Sequence, residues 1–135
     1  MDALLAAIMS KFSGSALSTS IGGRMFLDQA PENSEFPYIV FFIVSSTPAD
    51  TMTETISETM IQFSIFSTSL SVIEIGGIYA SLRTLYDDCS LTITGDTHLW
   101  MKWGGLTTMM EDMTTPTGTS MVRHWAAEYS ILVQD

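Results

Sequence analysis

The feature that most constrains this chain is an uninterrupted apolar run that follows a proline. Pro37 fixes its own backbone φ and keeps its predecessor out of a helical conformation, and the seven residues at positions 38–44 are all apolar. Most of them are β-branched or aromatic, which favours a β-strand. The run is too short to cross a bilayer as a helix, which takes roughly 20 apolar residues. We therefore expect residues 36–46 to form a central strand that is buried on both faces.

Helical periodicity appears near the amino terminus, where Leu4, Ile8 and Phe12 recur at i, i+4 and i+8. This spacing places them on one face of a helix. The pattern predicts a helix over residues 2–12 that covers the sheet, with Ser13-Gly14 ending it.

A second helix is predicted to start at a cap on Ser69 or Ser71 and to run to about Tyr86. Its apolar spacing continues through Gly76-Gly77, and we expect these glycines to allow a close approach to the sheet. Asp87-Asp88 would then sit at the unfavourable end of the helix dipole, so we expect both carboxylates to be solvated.

Period-2 alternation of Ile61, Phe63 and Ile65 with polar residues predicts a strand over residues 60–67 that pairs with the central strand. Glycine and proline positions divide the remainder of the chain into predicted strands, turns and loops. The predicted strands are residues 25–29, 91–94, 98–103, 106–110 and 121–133, the predicted turns and breaks fall at 21–24, 95–96 and 104–105, and the predicted long loops are residues 47–59 and 111–120.

This order of elements predicts an α+β fold: a mainly antiparallel sheet covered by two helices, with a long hairpin or loop extending from it. The sequence shows no internal repeat and no linker. We therefore expect residues 1–135 to form a single domain.

Composition restricts the kind of partner. Fifteen acidic residues against five basic ones give a net charge of -10, which disfavours direct binding to phosphate backbones. Solubility alone is the simplest reason for this charge. Cys89 is the single cysteine, so no intrachain disulfide can form. The amino terminus lacks a basic signal-peptide region, and we expect the product to be used without export.

The sequence contains none of the common nucleotide-binding, hydrolase or zinc motifs. His98 and His124 lack the local spacing of metal ligands, so strand positions explain them better. Cys89 follows Asp87 and Asp88, which raise the pKa of a thiol and disfavour a nucleophile. We expect no catalytic, cofactor-binding or metal-binding residues, and no cofactor.

Ten methionines and three tryptophans stand out more than any motif. The tryptophans are Trp100, Trp103 and Trp125, and we expect most of these thirteen side chains to fill the core. Met109, Met110 and Met113 border a polar loop, where the flexible thioether suits a protein contact surface.

Several features in this order resemble one known family. They are an amino-terminal helix beginning Met-Asp-Ala-Leu-Leu-Ala-Ala-Ile, then Ile21-Gly22-Gly23-Arg24, Asp28-Gln29-Ala30-Pro31, Phe36-Pro37-Tyr38-Ile39-Val40, Leu82-Arg83-Thr84-Leu85 and a strand after Gly118-Thr119. Together they are similar to the tail completion, or tail-to-head joining, proteins of long-tailed bacteriophages and related gene transfer agents. The resemblance spans nearly the whole chain, while residues 47–59 and 91–110 are less typical.

The resemblance implies a virion structural protein, not an enzyme. Such proteins form a ring, commonly a hexamer, on the head-proximal end of the tail tube, where they end tube polymerisation and meet the neck or connector. The implied partners are other copies of this chain, the tube protein and the connector protein, with DNA passing through the lumen and no membrane. The implied place of synthesis is the host bacterial cytoplasm. Residues 47–59 and 111–120 would be the contact elements.

Two other interpretations stay open at this stage. One places the chain on the head side as a neck or stopper protein. The other is a small soluble ligand-binding module or enzyme, which would need a concave pocket with converging polar groups.

Overall fold

The computed structural model describes residues 2–116 and 118–134, with the backbone alone at Asp2 and Thr114. The described elements are three helices and five strands, in the order α1 Asp2–Phe12, α2 Ala16–Ser20, β1 Met25–Leu27, β2 Tyr38–Pro48, β3 Ile56–Ser67, α3 Val72–Tyr86, β4 Thr97–Thr115 and β5 Gly118–Gln134. The α+β prediction with a mainly antiparallel sheet is confirmed.

The five strands form one sheet in the order β1-β2-β3-β5-β4. Only β1 and β2 pair in parallel, and every other neighbouring pair is antiparallel. The predicted strand at residues 36–46 is confirmed as the interior strand β2, with β1 and β3 on its two sides, although the middle strand of the sheet is β3. β1 accompanies β2 only at residues 39–41, because β1 is just three residues long. Burial of β2 is accordingly limited to its first half, and Val44 is exposed.

The helices cover one face of the sheet, and the main core lies between the two layers. The predicted stripe of Leu4, Ile8 and Phe12 is buried there. α3 begins where Ser71 Oγ accepts a hydrogen bond from the Ile73 N–H at 3.1 Å, which confirms the predicted cap. The core cluster joins these helices to the strands through Ile75, Ile78, Leu82, Tyr86, Ile39, Phe41, Ile61, Phe63, Ile65, Ala127, Tyr129 and Ile131.

The other face of the sheet, which we call the open face, carries no helix in the described chain. It includes Tyr38, Phe66 and His124, which share one side because Tyr38 pairs with Phe66 and Phe66 pairs with His124. Tyr38 is buried among aromatic neighbours. The open face is therefore partly apolar although no second layer lies over it.

The connection at residues 47–59 is shorter than predicted. β2 continues through Pro48 and β3 begins at Ile56, which leaves only residues 49–55 as loop. Hydroxyl pairing between Ser46 Oγ and Thr59 Oγ1 at 3.2 Å supports the extended hairpin. Thr47 and Thr59 lie in the paired strands, whereas Thr51, Thr53 and Thr55 lie in the loop, so the predicted loop was too long at both ends.

Residues 91–120 differ most from the elements that the sequence predicts. Residues 98–103 and 106–110 belong to one strand, β4, which also absorbs most of the predicted loop at 111–120; residue 117 lies outside the described residues. Residues 91–94 are not a strand, although Leu91 and Ile93 are buried. Gly104-Gly105 does not end β4, because the pairing with β5 shifts by one residue there and then continues. This is a β-bulge.

The helix glycines were also misinterpreted. A Cβ added at Gly76 or Gly77 would meet nothing within 4 Å, so neither glycine serves a close approach of α3 to the sheet. No helix in the described residues is long and apolar enough to cross a membrane.

Candidate interaction surfaces

The two histidines do not form a site. His98 pairs with Val133, and His124 lies nine residues from Val133 along β5, a separation of about 30 Å at ~3.4 Å per residue. His98 Nδ1 accepts a hydrogen bond from the Leu91 N–H at 3.3 Å, and burial lowers the pKa of its imidazole. His124 stacks on Phe66 at 4.4 Å. Both rings therefore belong to local packing.

Cys89 is a packed thiol. Its Sγ lies 3.6 Å from Met101 Sδ. The thiol pKa is raised mainly by burial, with smaller contributions from Asp87 and Asp88. The predicted direction was right, but the neighbouring carboxylates are not the main cause. The raised pKa disfavours the nucleophilic thiolate.

Asp87 is not the solvated helix end that the sequence predicted. Its Oδ2 accepts from Arg83 Nε at 2.8 Å and from Nη2 at 2.7 Å, and its Oδ1 accepts from the Tyr129 hydroxyl at 2.5 Å. Arg83 in turn stacks over the Trp103 ring, 4.1 Å from its centroid. Asp88 is exposed, as predicted. The Asp87 carboxylate thus ties the end of α3 to β5.

Core filling was predicted for most of the methionines and tryptophans, and of the three tryptophans only Trp125 packs against the core. Trp103 is exposed, while Trp100 and Trp125 are half-buried. Trp125 meets Tyr79 edge to face, with ring centroids 5.8 Å apart. All three lie on β4 and β5, so the longest hairpin of the sheet carries a large share of the accessible aromatic surface.

No group of three or more potential metal ligands occurs within residues 2–116 and 118–134. A shallow groove of about 410 Å³ on the open face is lined by Tyr38, Phe42, Phe66, Met113 and His124 among others. Its lining also includes Asp28, Gln29, Gln62 and Ser64, so polar side chains lie beside the apolar ones.

One accessible apolar surface lies at the start of α3. Leu70, Val72 and Ile73 are 96%, 51% and 82% exposed. The Leu70 carbonyl accepts a hydrogen bond from Arg123 Nη2 at 3.0 Å, which fixes this segment beside β5. Neighbouring exposed aliphatic side chains of this kind are typical of protein contact surfaces.

A second surface is the far end of the β4–β5 hairpin, which we call the arm: residues 111–115 and 118–122. β3 ends at Ser67, which pairs with Arg123, so the arm extends beyond its neighbouring strand by about 17 Å at ~3.4 Å per residue. Met121 on the arm and Met110 beside it are half exposed. Met109 and Met110 thus lie on β4 at the base of the arm, and Met113 lies on the arm itself, rather than beside a loop.

Acidic side chains without a cationic partner in the described chain lie at both ends of the sheet. Arg24 and Arg83 pair with carboxylates, whereas Asp50 and Glu54 in the loop 49–55 and Asp112 on the arm have no cationic partner among the described residues. Both ends of the sheet therefore carry negative charge.

Comparison with known proteins gives a family and a fold. The family model described as "Tail completion protein gp17" matches residues 2–125. A sequence comparison with curated proteins finds no match. A chain in a solved structure titled "Virion of native gene transfer agent (GTA) particle" is similar in fold, with a TM-score of 0.71 and 12% identity over 96% of this chain and 93% of that one. A second solved chain, 13% identical over 96% and 94% of the two chains, reaches a TM-score of 0.49.

The family match covers nearly all of the sequence and agrees with the resemblance carried by its motifs. The chain accordingly belongs to the tail completion protein gp17 family and is a structural protein of the virion tail.

Proposed function

We propose that this protein caps the head-proximal end of the tail tube as a closed ring of six copies, ends tube polymerisation and joins the tail to the head connector. The single observation that carries the proposal is membership in the tail completion family over residues 2–125. The fold likeness to a chain of a gene transfer agent virion supports it. Residues 1–135 act as one domain, the repeating unit of the ring, and no residue is assigned a catalytic, cofactor-binding or metal-binding role.

The arm and the α3 surface are the contacts that suit such a ring. A ring closes when one surface of each subunit meets a different surface of the next. The arm projects from one end of the sheet, and Leu70, Val72 and Ile73 offer an apolar surface. Burying these aliphatic groups would contribute about 25 cal/mol for each Å² removed from water.

The charge suits a channel through which DNA moves. The net charge is -10, and strong DNA binding requires cations that displace condensed counterions from phosphates. A lumen lined by carboxylates repels the polyanion and leaves it free to slide. The ring would thus guide DNA without holding it.

The experiment that tests this function adds purified protein to growing tail tubes and measures tube length by electron microscopy. The expected result is a ring at one end of each tube and no further growth. Continued growth with unoccupied ends contradicts capping. Binding to isolated head connectors but not to tubes would instead favour the neck or stopper interpretation.

A paired set of variants connects the test to the arm. The arm variant, Met110→Ser with Met121→Ser, removes two exposed methionine side chains from the arm and its base. The control is Met9→Ser, which removes an exposed methionine side chain from α1. We expect the arm variant to lose capping at concentrations where the α1 variant retains it. Equal capping by both variants would remove the arm from the interface.

A further inference from the structure

The outer edge of β4 is open over most of its length. β4 is the last strand of the sheet. The segment after α3 covers the edge at one point, where the Asp88 N–H donates to the Met101 carbonyl at 3.0 Å. No described segment pairs with the edge from Lys102 to Asp112. A row of backbone donors and acceptors there faces solvent.

This open edge lacks some of the features that protect edge strands. Thr107, Thr108, Met109 and Met110 are exposed, and β4 contains no proline. Charged side chains, prolines, β-bulges and short length normally hinder another strand from adding to an edge. β4 carries Lys102 and two irregularities in its pairing with β5, but it is 19 residues long and its segment 105–110 is uncharged. Such an edge is suited to accept another strand.

The bulge gives the edge a self-complementary charge pattern. Lys102 pairs with Ser130 and Glu111 pairs with Val122 across β5. Ser130 and Val122 are eight residues apart, an even number, so Lys102 and Glu111 lie on the same face of the sheet. Without the extra residue at Gly104 they would lie on opposite faces, because they are nine residues apart.

We propose that β4 pairs antiparallel with β4 of a second copy of this chain, about a twofold axis at Thr107. In that register Leu106 lies opposite Thr108 of the second copy, and Gly105 lies opposite its Met109. Beyond the bulge, Lys102 of each copy meets Glu111 of the other. Residues directly opposite each other on one face of an antiparallel pair interact, and opposite charges there are favourable.

The charges support this partner over an unrelated strand. Lys102 has no carboxylate partner in the described part of the chain, and its ammonium lies 5.3 Å from the Trp100 ring centroid. Glu111 contacts His124 Nδ1 at 3.2 Å and keeps a partly exposed side chain. If the bulge were not matched across the pair, Asp112 would stand opposite Lys102, but its side chain lies on the other face of the sheet because Met121 and Ser130 are nine residues apart. The matched register is therefore the one that gives two Lys–carboxylate contacts in the dimer.

The dimer is a free form of the protein, distinct from the proposed ring. A twofold pair presents the same surface from both subunits, whereas a cap between tube and connector needs two different faces. The β4 pair therefore has to open before the ring forms, and it shields the edge until then. This inference does not depend on the proposed function, since it concerns the purified protein alone.

A charge-swap series tests the pairing by sedimentation or by size exclusion with light scattering over a concentration range. The wild type is expected to dimerise. Lys102→Glu or Glu111→Lys alone places like charges opposite each other and should weaken the dimer at least about tenfold. The double variant should restore it. Glu32→Lys, an exposed loop change, controls for net charge. A monomeric wild type, or single variants that dimerise like wild type, would overturn the proposal.

A disulfide test reports the position of the axis. Thr107→Cys in a Cys89→Ala background places two thiols across the twofold axis, within the 4.4–6.8 Å Cα separation that disulfides usually span. Thr84→Cys, exposed on α3, is the matched control. We expect mild oxidation to give covalent dimer from the Thr107 variant and little from the Thr84 variant. Equal or absent dimer in both would show that the β4 edges do not meet at Thr107.

Discussion

At the residue scale, the Asp87 carboxylate shows how a charge at a helix end is used in packing. It accepts hydrogen bonds from Arg83 and from Tyr129, a residue distant in sequence. The Tyr129 ring is fully buried among Phe63 and Tyr86. A sequence pattern predicts the helix end but not this partner, because the contact depends on how β5 lies against α3.

Tyr129→Phe should therefore destabilise the fold by about 1–2 kcal/mol, since it leaves one Asp87 oxygen without its hydroxyl donor. Urea unfolding at neutral pH measures the change. Tyr79→Phe, which alters a half-buried tyrosine on α3, is the control and should cost less. A Tyr129→Phe variant as stable as wild type would show that the hydrogen bond contributes nothing.

The same hydroxyl predicts alkaline behaviour. Burial first, and then the hydrogen bond to Asp87, raise the pKa of Tyr129 above its ordinary value of 10.0. The unfolded chain loses this proton near pH 10 while the folded chain keeps it, so the stabilisation is complete below pH 10 and declines as the pH rises further. Unfolding free energy should fall less steeply above pH 10 in Tyr129→Phe than in wild type. An unchanged slope would contradict the assignment.

His98 and His124 give a test of the non-enzymatic interpretation. They lie far apart along the sheet, so no shared site depends on them. His98→Gln with His124→Gln should keep tube capping within about twofold of wild type, because assembly relies on other surfaces. Loss of capping in a variant that remains folded by circular dichroism would require a binding role for one ring.

At the scale of elements, the spacing of apolar residues predicted helices and strands better than the positions of glycine, proline and threonine predicted breaks and loops. α1, α3 and the long closing strand β5 follow from apolar spacing, and the structure confirms them. Gly104-Gly105 was read as a break and the Thr-rich segments as loops, yet both lie in or beside paired strands. Local residue types cannot show that a neighbouring strand continues past a bulge. The β4 edge and the arm were missed for that reason.

The glycines provide a matched pair of element-scale substitutions. Gly77→Ala on α3 meets no neighbouring atom within 4 Å and should stabilise the fold by about 0.4–1 kcal/mol, since alanine favours a helix. Gly104→Ala would bring Cβ within 3.3 Å of the Glu128 carbonyl oxygen and should cost about 1 kcal/mol or more. Thermal unfolding distinguishes them. Equal shifts of the same sign would contradict the bulge geometry.

At the scale of the whole molecule, the exposed surfaces and the open sheet edge suit contacts with other proteins. The sheet has a helix layer on one face, an open second face and a projecting arm. The described residues contain no cluster of metal ligands. Sequence motifs and the family match both indicate a protein of the virion tail. Subunit contacts could not be predicted in the same way, because they depend on sheet edges and exposed surfaces that only the fold reveals.

The net charge of -10 predicts weak contact with nucleic acid. Purified protein should not shift duplex DNA in electrophoresis even at about 50 mM salt, where electrostatic binding is strong. A lysine-rich virion DNA-binding protein is a suitable positive control. A shift that disappears between 50 and 200 mM salt would show a cationic surface that this account does not contain.

The most direct test of the proposed cap is a reconstruction of the head-proximal tail end in intact particles, with this chain located in the density. The account predicts six copies in one closed ring between the last ring of tube subunits and the connector, with the arms and the start of α3 at contacts between subunits. A ring built from other chains at that position, or this chain found on the head side of the connector, would contradict it.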